Sequence, residues 1–259
     1  MNNLPNHFSP SSLACYESCP RAYWYKYVCK INLPSDSVHL VFGSAIHKAI
    51  ETFDGDIDKA KLVYHLEFDK KKLEPKEYLK YDELLPIGEK ILDVYFEKKD
   101  FLHKLHDIAE ADQKEMFVEG VLENPLTGEK LPIPMKGRID ELTKNSKIKD
   151  YKTSGKFYDI NDEGFKFQTK LYSLWYWSAK KKLAGGVVYF VLPKSMKLLE
   201  SGTPIQVINL QFSLEELAET FEKTKNLLSQ IEQGEFKPGR CLAYCDHRKL
   251  DGLLLPSVT

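Results

Sequence analysis

The spacing of apolar residues divides the chain into a helical first part and a sheet-forming second part. Phe8-Ser9-Pro10-Ser11-Ser12-Leu13 reads as a helix start. Ser9 is placed to cap it, and Pro10 takes the first helical position, where its missing N–H costs nothing. An aromatic run follows (Tyr16, Tyr23, Trp24, Tyr25, Tyr27), and Pro20 is expected to end or kink the helix near Cys19. Residues 31–39 read as a loop around Pro34. The stretch from 43 to about 53 predicts a short helix with Ala45, Ile46, Ala49 and Ile50 on its apolar side. Residues 56–72 and 83–107 predict further helices, the second carrying Leu84, Ile87, Ile91, Leu92 and Tyr95 at helical spacing.

After Ile108 the period changes. Residues 115–119 predict a strand, Asn124-Pro125-Leu126-Thr127-Gly128 a turn, and 131–142 a second strand. The polar segment 143–146 turns the chain into a third strand at 147–152, which makes the last two a hairpin. A helix at 163–182, strands at 187–192 and 205–212, and a helix from the capping box Ser213-Leu214-Glu215-Glu216 to about 233 complete the pattern. This order predicts an α/β fold: a central mixed β-sheet flanked by helices, with a helical segment preceding the sheet. The expected organisation is one domain over 1–259, with a helical cap or insertion at about 52–108 and a cysteine-containing tail at 234–259.

Composition changes this picture little. The chain has 259 residues, 42% hydrophobic and 29% charged, enough for one large α/β domain of ordinary globular character. No run approaches the ~18 apolar residues of a membrane span. The polar start at 1–9 lacks a charged-then-apolar leader, so the expectation is a soluble, cytoplasmic chain. With 37 basic against 38 acidic side chains, the net charge gives no overall nucleic-acid signal. Phosphate binding would need a local basic stripe, and 70–72, 144–152 and 180–182 are the candidates. Each alone reads as a solvated face.

The candidate chemistry begins with Asp140 and Asp150-Tyr151-Lys152. Across the expected hairpin Asp140 lies close to Asp150, while Asp150, Lys152 and Ile148 share one strand face. Hard divalent cations such as Mg²⁺ take carboxylate and carbonyl oxygens. Two adjacent carboxylates call for a cation or for a raised pKa on one of them. A neighbouring lysine can orient a water or steady charge on a phosphate. His47 lies four residues before Glu51 on the same helix face and offers a nitrogen ligand. Gln168 and Tyr172, also four apart, share a face of the helix after the Asp150 strand. Taken singly, each of these is more simply a surface or packing residue.

Together, His47, Gly137-Arg138-Ile139-Asp140, Asp150-Tyr151-Lys152-Thr153 and Gln168-x-x-x-Tyr172 resemble the RecB-type branch of the PD-(D/E)XK nuclease superfamily. The similarity is to its CRISPR-associated and AddB/RecB-like exonuclease domains. Residues 8–13 and 19–25 resemble the N-terminal signature of that branch. The resemblance implies a restriction-endonuclease-like fold and a Mg²⁺- or Mn²⁺-dependent DNA nuclease. It implies an exonuclease acting on single strands or DNA ends in repair, recombination or processing, beside a helicase or recombination partner. It implies that His47, Asp140, Asp150 and the backbone carbonyl of Tyr151 hold the metal, that Lys152 assists catalysis, and that Gln168 and Tyr172 support substrate and Lys152. Tyr23, Trp24 and Tyr25 offer either stacking surfaces for bases or core packing.

The five cysteines lie at the two ends, an odd count that argues against a disulfide framework. Some relatives hold a [4Fe-4S] cluster with one cysteine like Cys19 before Pro20 and three near the C-terminus. Here Cys241 and Cys245 have three residues between them, and Asp251 stands near the expected last position. Cys15, Cys19, Cys241 and Cys245 make a four-thiolate alternative. Cys19, Cys241, Cys245 and His247 make a zinc alternative, and a metal-free packing of the two ends is the third. Three other readings of the chain stay open: a non-catalytic DNA-binding or assembly subunit, an RNA-directed nuclease, and a scaffold built around the cysteines. The intact acids and lysine favour a nuclease over the first of these.

Overall fold

A computed structural model describes residues 4–31, 38–238 and 250. Cys241, Cys245 and His247 lie outside the described residues, as does most of the loop expected at 31–39. The helices are α1 (Pro10–Ser18), α2 (Pro20–Tyr23), α3 (Val38–Glu51), α4 (Ile57–Glu67), α5 (Tyr78–Leu105), α6 (Glu163–Lys180), α7 (Met196–Leu199) and α8 (Leu214–Glu232). The strands are β1 (Ala111–Gly120), β2 (Met135–Thr143), β3 (Lys147–Ser154), β4 (Gly186–Pro193) and β5 (Gln206–Leu210).

Local chemistry sets the ends of these elements. Ser9 Oγ accepts the N–H of Ser12 at 3.1 Å, and Ser12 Oγ accepts that of Ser9 at 2.9 Å. This is a reciprocal capping box with serine in the place of the usual Glu or Gln. As expected, Pro20 stops α1: Cys19 closes that helix, and its Sγ caps α2 by accepting the N–H of Ala22 at 3.4 Å. The chain then runs through a π-helical turn at Trp24–Val28. Ser213 and Glu216 form the second capping box where it was read. In β2 the strand begins at Met135 rather than 131, because Pro132 and Pro134 have no N–H to give a ladder. Helix α3 begins at Val38, five residues before the expected start, and α7 was not anticipated, being too short to show a period.

The sheet order is β1-β2-β3-β4-β5. Neighbours pair antiparallel except β3 and β4, which are parallel and joined through α6. Parallel strands need such a crossover, and β4 is buried along its whole length, which explains its unbroken apolar run. Alternate residues of the strands feed two cores. Leu142, Ile148, Val187, Tyr189 and Val191 pack with Leu13, Leu171, Leu174 and Phe221 from α1, α6 and α8. On the other face Tyr151, Val188, Phe190 and Leu192 pack with Phe42, Ile46, Tyr64 and Tyr95 from α3, α4 and α5. At the β5 edge the side chain of Gln206 accepts the N–H of Tyr158 at 2.8 Å and donates to its carbonyl at 3.0 Å. Among the described residues no helix is long and apolar enough to cross a membrane.

The second core depends on one close approach. Gly88 of α5 lies against the fully buried ring of Tyr64, and a Cβ at Gly88 would overlap that ring. Tyr64 is wedged against Phe42 and Phe68 and has no room to yield. Gly88→Ala should gain about 1 kcal/mol of helix propensity. It should lose more to overpacking, which typically costs about 1–3 kcal/mol. The expected result is a lower urea midpoint at unchanged slope; a neutral or higher midpoint would show that close packing does not fix this glycine.

Candidate active site

Strands β2 and β3 pair at Glu141↔Lys149 and Leu142↔Ile148, and the ladder stops there. The next facing residues are Asp140 and Asp150. On its other flank Asp140 falls out of the ladder as well: Lys114 pairs with Glu141 and Met116 with Ile139, while Glu115 between them is left-handed, with φ 49°. Asp140 is thus released from strand pairing on both sides. Its carboxylate replaces the missing ladder, accepting the N–H of Tyr151 at 2.7 Å. His47 Nδ1 stands 3.4 Å from the same oxygen.

Helix α3 brings His47 there because it sits low on the sheet. Ala45, Ile46 and Ala49 are fully buried, and Gly43 faces β3 so closely that a Cβ would lie 3.2 Å from Thr153 Oγ1. His47, Asp140, Tyr151 and Lys152 line one cavity of about 570 Å³, together with Glu51 and Glu115. Asp150 lies behind it, buried, with Lys152 Nζ 2.7 Å from its Oδ2. The strand alternation that placed Asp150 and Lys152 on one face therefore holds, and the four expected groups do come together.

Charge in this cluster is finely opposed. Burial, with Asp140 adding to it, pushes the Asp150 carboxyl up against the pull of Lys152 and His47. Burial also acts to raise Asp140, but His47, the Tyr151 N–H and Lys152 outweigh it and hold that carboxyl low. Burial acts to neutralise Lys152, yet Asp150, Tyr189 and Asp140 keep its ammonium strongly favoured. His47 is raised by Asp140 and Asp150 in spite of burial and Lys152.

Tyr172 on α6 donates to the carbonyl of Arg138 at 3.3 Å, which ties α6 to the strand carrying Asp140. Burial pushes its hydroxyl up to about 12, with the nearby Asp150 adding to the shift. Gln168, one turn earlier, is half-buried, and its side chain makes no hydrogen bond among the described residues.

Glu115 was missed by sequence reading, which saw only a strand residue. Its carboxylate pairs with Arg138 at 3.2 Å, and burial, Asp140 and Glu51 raise its pKa. The one signal, a charged residue opposite the Asp140 position, is too common to single it out. The candidate basic stripe at 144–152, which taken alone reads as a solvated face, is corrected in part. Lys147 and Lys149 are buried; Lys147 donates to the carbonyls of His106 and Asp107, and Lys149 pairs with Glu141. Tyr23 and Tyr25 are core residues at 2% exposure each, and Trp24 is half-buried under Arg21, so the aromatic run serves packing first. Cys15 lies in the last turns of α1 and Cys19 closes that helix, one half-buried and the other buried.

Among the described residues no three acidic, histidine or cysteine side chains already enclose a metal position. The donor chemistry nevertheless fits a hard cation. Asp150 Oδ2 is buried and, despite its contact with Lys152, receives no hydrogen bond of acceptable geometry. A carboxylate oxygen so placed, beside a second carboxylate and an imidazole, is an electrostatic position suited to a divalent ion.

The family model described as the PD-(D/E)XK nuclease superfamily matches residues 7–250. No curated protein matches the chain. Among solved structures, one named "Putative exonuclease" from Eubacterium rectale is similar at 15% identity with a TM-score of 0.54, covering 97% of this chain and 94% of that one. A second, SSO0001, is similar at 15% identity with a TM-score of 0.40, covering 97% of this chain and 87% of that one.

Proposed function

We propose, from the premise that this chain belongs to the PD-(D/E)XK nuclease superfamily, that it is a divalent-cation-dependent DNA exonuclease of the RecB type. The observation that carries the reading is the convergence of His47, Asp140 and Lys152 on one open cavity, with Asp150 buried against Lys152, at a point where β2 leaves its ladders. Asp140, Asp150 and His47 are the groups that would hold Mg²⁺ or Mn²⁺, with the carbonyl of Tyr151 completing the set. A divalent ion bound there supplies Lewis acidity toward the phosphate and acidifies an attacking water.

The side chains divide the remaining work. Lys152 stays cationic beside Asp150, so it serves charge that develops on the phosphate and not proton abstraction. Asp140 is oriented by the Tyr151 N–H and by His47, which fixes its lone pairs toward the cavity. Tyr172 holds the backbone of the Asp140 strand, and Gln168 presents an amide on the same face of α6 for substrate. Exonuclease action draws on the similarity to the Eubacterium rectale protein bearing that name. A role in repair, recombination or processing is part of the same reading.

The test is a time course on end-labelled linear DNA, circular DNA and RNA of one sequence, with Mg²⁺, Mn²⁺ or EDTA. Linear DNA should shorten from its ends, the circle should resist, and EDTA should stop the reaction. Cation binding should also raise the melting temperature without substrate, by a stabilisation of about 2.7 kcal/mol at a hundred times the dissociation constant. Faster loss of RNA would turn the assignment to an RNA-directed nuclease. No cleavage and no melting shift with either cation would leave a non-catalytic subunit.

A further inference from the structure

The cavity has a wall that the catalytic reading does not use. His39 stands on α3 eight residues before His47, about 12 Å away at 1.5 Å per residue. Lys194 follows the last residue of β4, and its N–H extends the parallel ladder by donating to Ser154 at 2.7 Å. Val191 is the partner of Lys152, so Lys194 lies three residues beyond it, about 10 Å along the strand. Two independent elements thus put basic side chains on one wall of the cavity, beyond His47 and Lys152.

Neither His39 nor Lys194 forms an ion pair among the described residues, and Lys194 is half-buried. Lys80, itself paired with Glu83 at 2.6 Å, crowds it with like charge. Around His39 stand Lys194 and Lys80, opposed among the described residues by Glu77, whose Oε1 accepts the N–H of Val38. Burial and these lysines act against the charged forms of both Lys194 and His39, and a bound anion would relieve that crowding. Between them and the catalytic wall, Leu40 is 61% exposed, an apolar face in a polar cavity and better suited to a base than to a bare ion.

We infer that Lys194 and His39 form a second phosphate subsite, which grips a non-scissile phosphodiester of the strand whose reacting phosphate lies at Asp140 and Asp150. The inference rests on the nuclease reading and deepens it. The separation corresponds to about three nucleotides at the 3.4 Å rise of stacked bases, fewer if the strand is stretched. A single strand with unstacked bases can lay one base on Leu40 while its backbone bridges the two sites; free phosphate cannot use both.

The experiment is fluorescence anisotropy of labelled oligodeoxynucleotides two to twelve nucleotides long, in EDTA over a range of salt, with parent, Lys194→Ala, Lys194→Glu and His39→Gln proteins. One lost charge-assisted contact should weaken twelve-nucleotide binding roughly tenfold in Lys194→Ala. It should also flatten the plot of log affinity against log salt by about 0.7, the single-strand value per contact. Lys194→Glu should weaken binding further. The ratio of parent to variant affinity should shrink toward one at two nucleotides, a probe too short to span the sites. Melting of Lys194→Ala should be unchanged or higher, since a crowded cation is removed. Equal affinity and equal salt slope in parent and Lys194→Ala would overturn the subsite and leave the nuclease reading standing. A parent that neither binds nor cleaves any oligonucleotide would overturn both.

Discussion

Replacing Asp150 or Lys152 with alanine should lower the rate of phosphodiester cleavage by about 10²–10³-fold while the chain stays folded, the usual loss when a preorganised electrostatic group is removed. The two losses arise differently. Without Asp150 the proposed ligand set keeps Asp140 as its one carboxylate and loses the buried oxygen that faces Lys152. Its cation affinity falls, so the melting shift produced by Mg²⁺ or Mn²⁺ should shrink along with the rate. Without Lys152 the cation site remains, so the melting shift should persist while turnover falls. Lys152→Arg should not rescue, because a planar guanidinium cannot replace a point charge packed against Asp150 and over the Tyr189 ring. The measurements are initial rates on end-labelled DNA and melting with and without cation. Activity above a tenth of the parent in either alanine variant would remove these residues from the centre of the site.

The second large effect is expected away from the cavity. Lys149 is 1% exposed and pairs with Glu141, which also accepts the Tyr151 hydroxyl at 3.2 Å; Tyr95 joins the same hydroxyl at 2.7 Å. Glu141→Ala leaves a buried ammonium without its partner and should cost about 3–5 kcal/mol. The double variant Glu141→Leu, Lys149→Met removes both charges and should return most of that loss, because apolar side chains of similar volume can replace a buried pair at little cost. Urea unfolding of Glu141→Leu alone, Lys149→Met alone and the double variant closes the cycle. Additive losses would mean that the two charges are not coupled. The network touches the ring of the residue whose N–H orients Asp140, so the single variants should also lose activity beyond their loss of folded protein.

The hairpin was readable because strand alternation is fixed by geometry: once residues 143–146 turn, Asp140 must face Asp150 and Lys152 must share its side. The caps at Ser9 and Ser213 were readable for the same reason, since the capping oxygens and their N–H partners are near neighbours in sequence. Other features depend on contacts between distant segments. Lys147-Ile148-Lys149-Asp150 looks like a solvated strand, and only packing under α5 and pairing with Glu141 reverse that for two of its lysines. Glu115 enters the cavity through a left-handed backbone, a conformation that nothing in Lys114-Glu115-Met116 announces. The start of β1 at Ala111 was equally hidden, since 111–114 is polar apart from one alanine and carries no period.

The strand order has a kinetic consequence. Every strand lies beside its neighbour in sequence, so the sheet can grow by adding segments as they emerge from synthesis, with no strand held in reserve for a later insertion. Within the sheet, the step from β3 to β4 must wait for the helix between them to form and dock. That step also aligns the strand of Asp150 and Lys152 with the one that ends just before Lys194, so both walls of the cavity meet only after this crossover has docked.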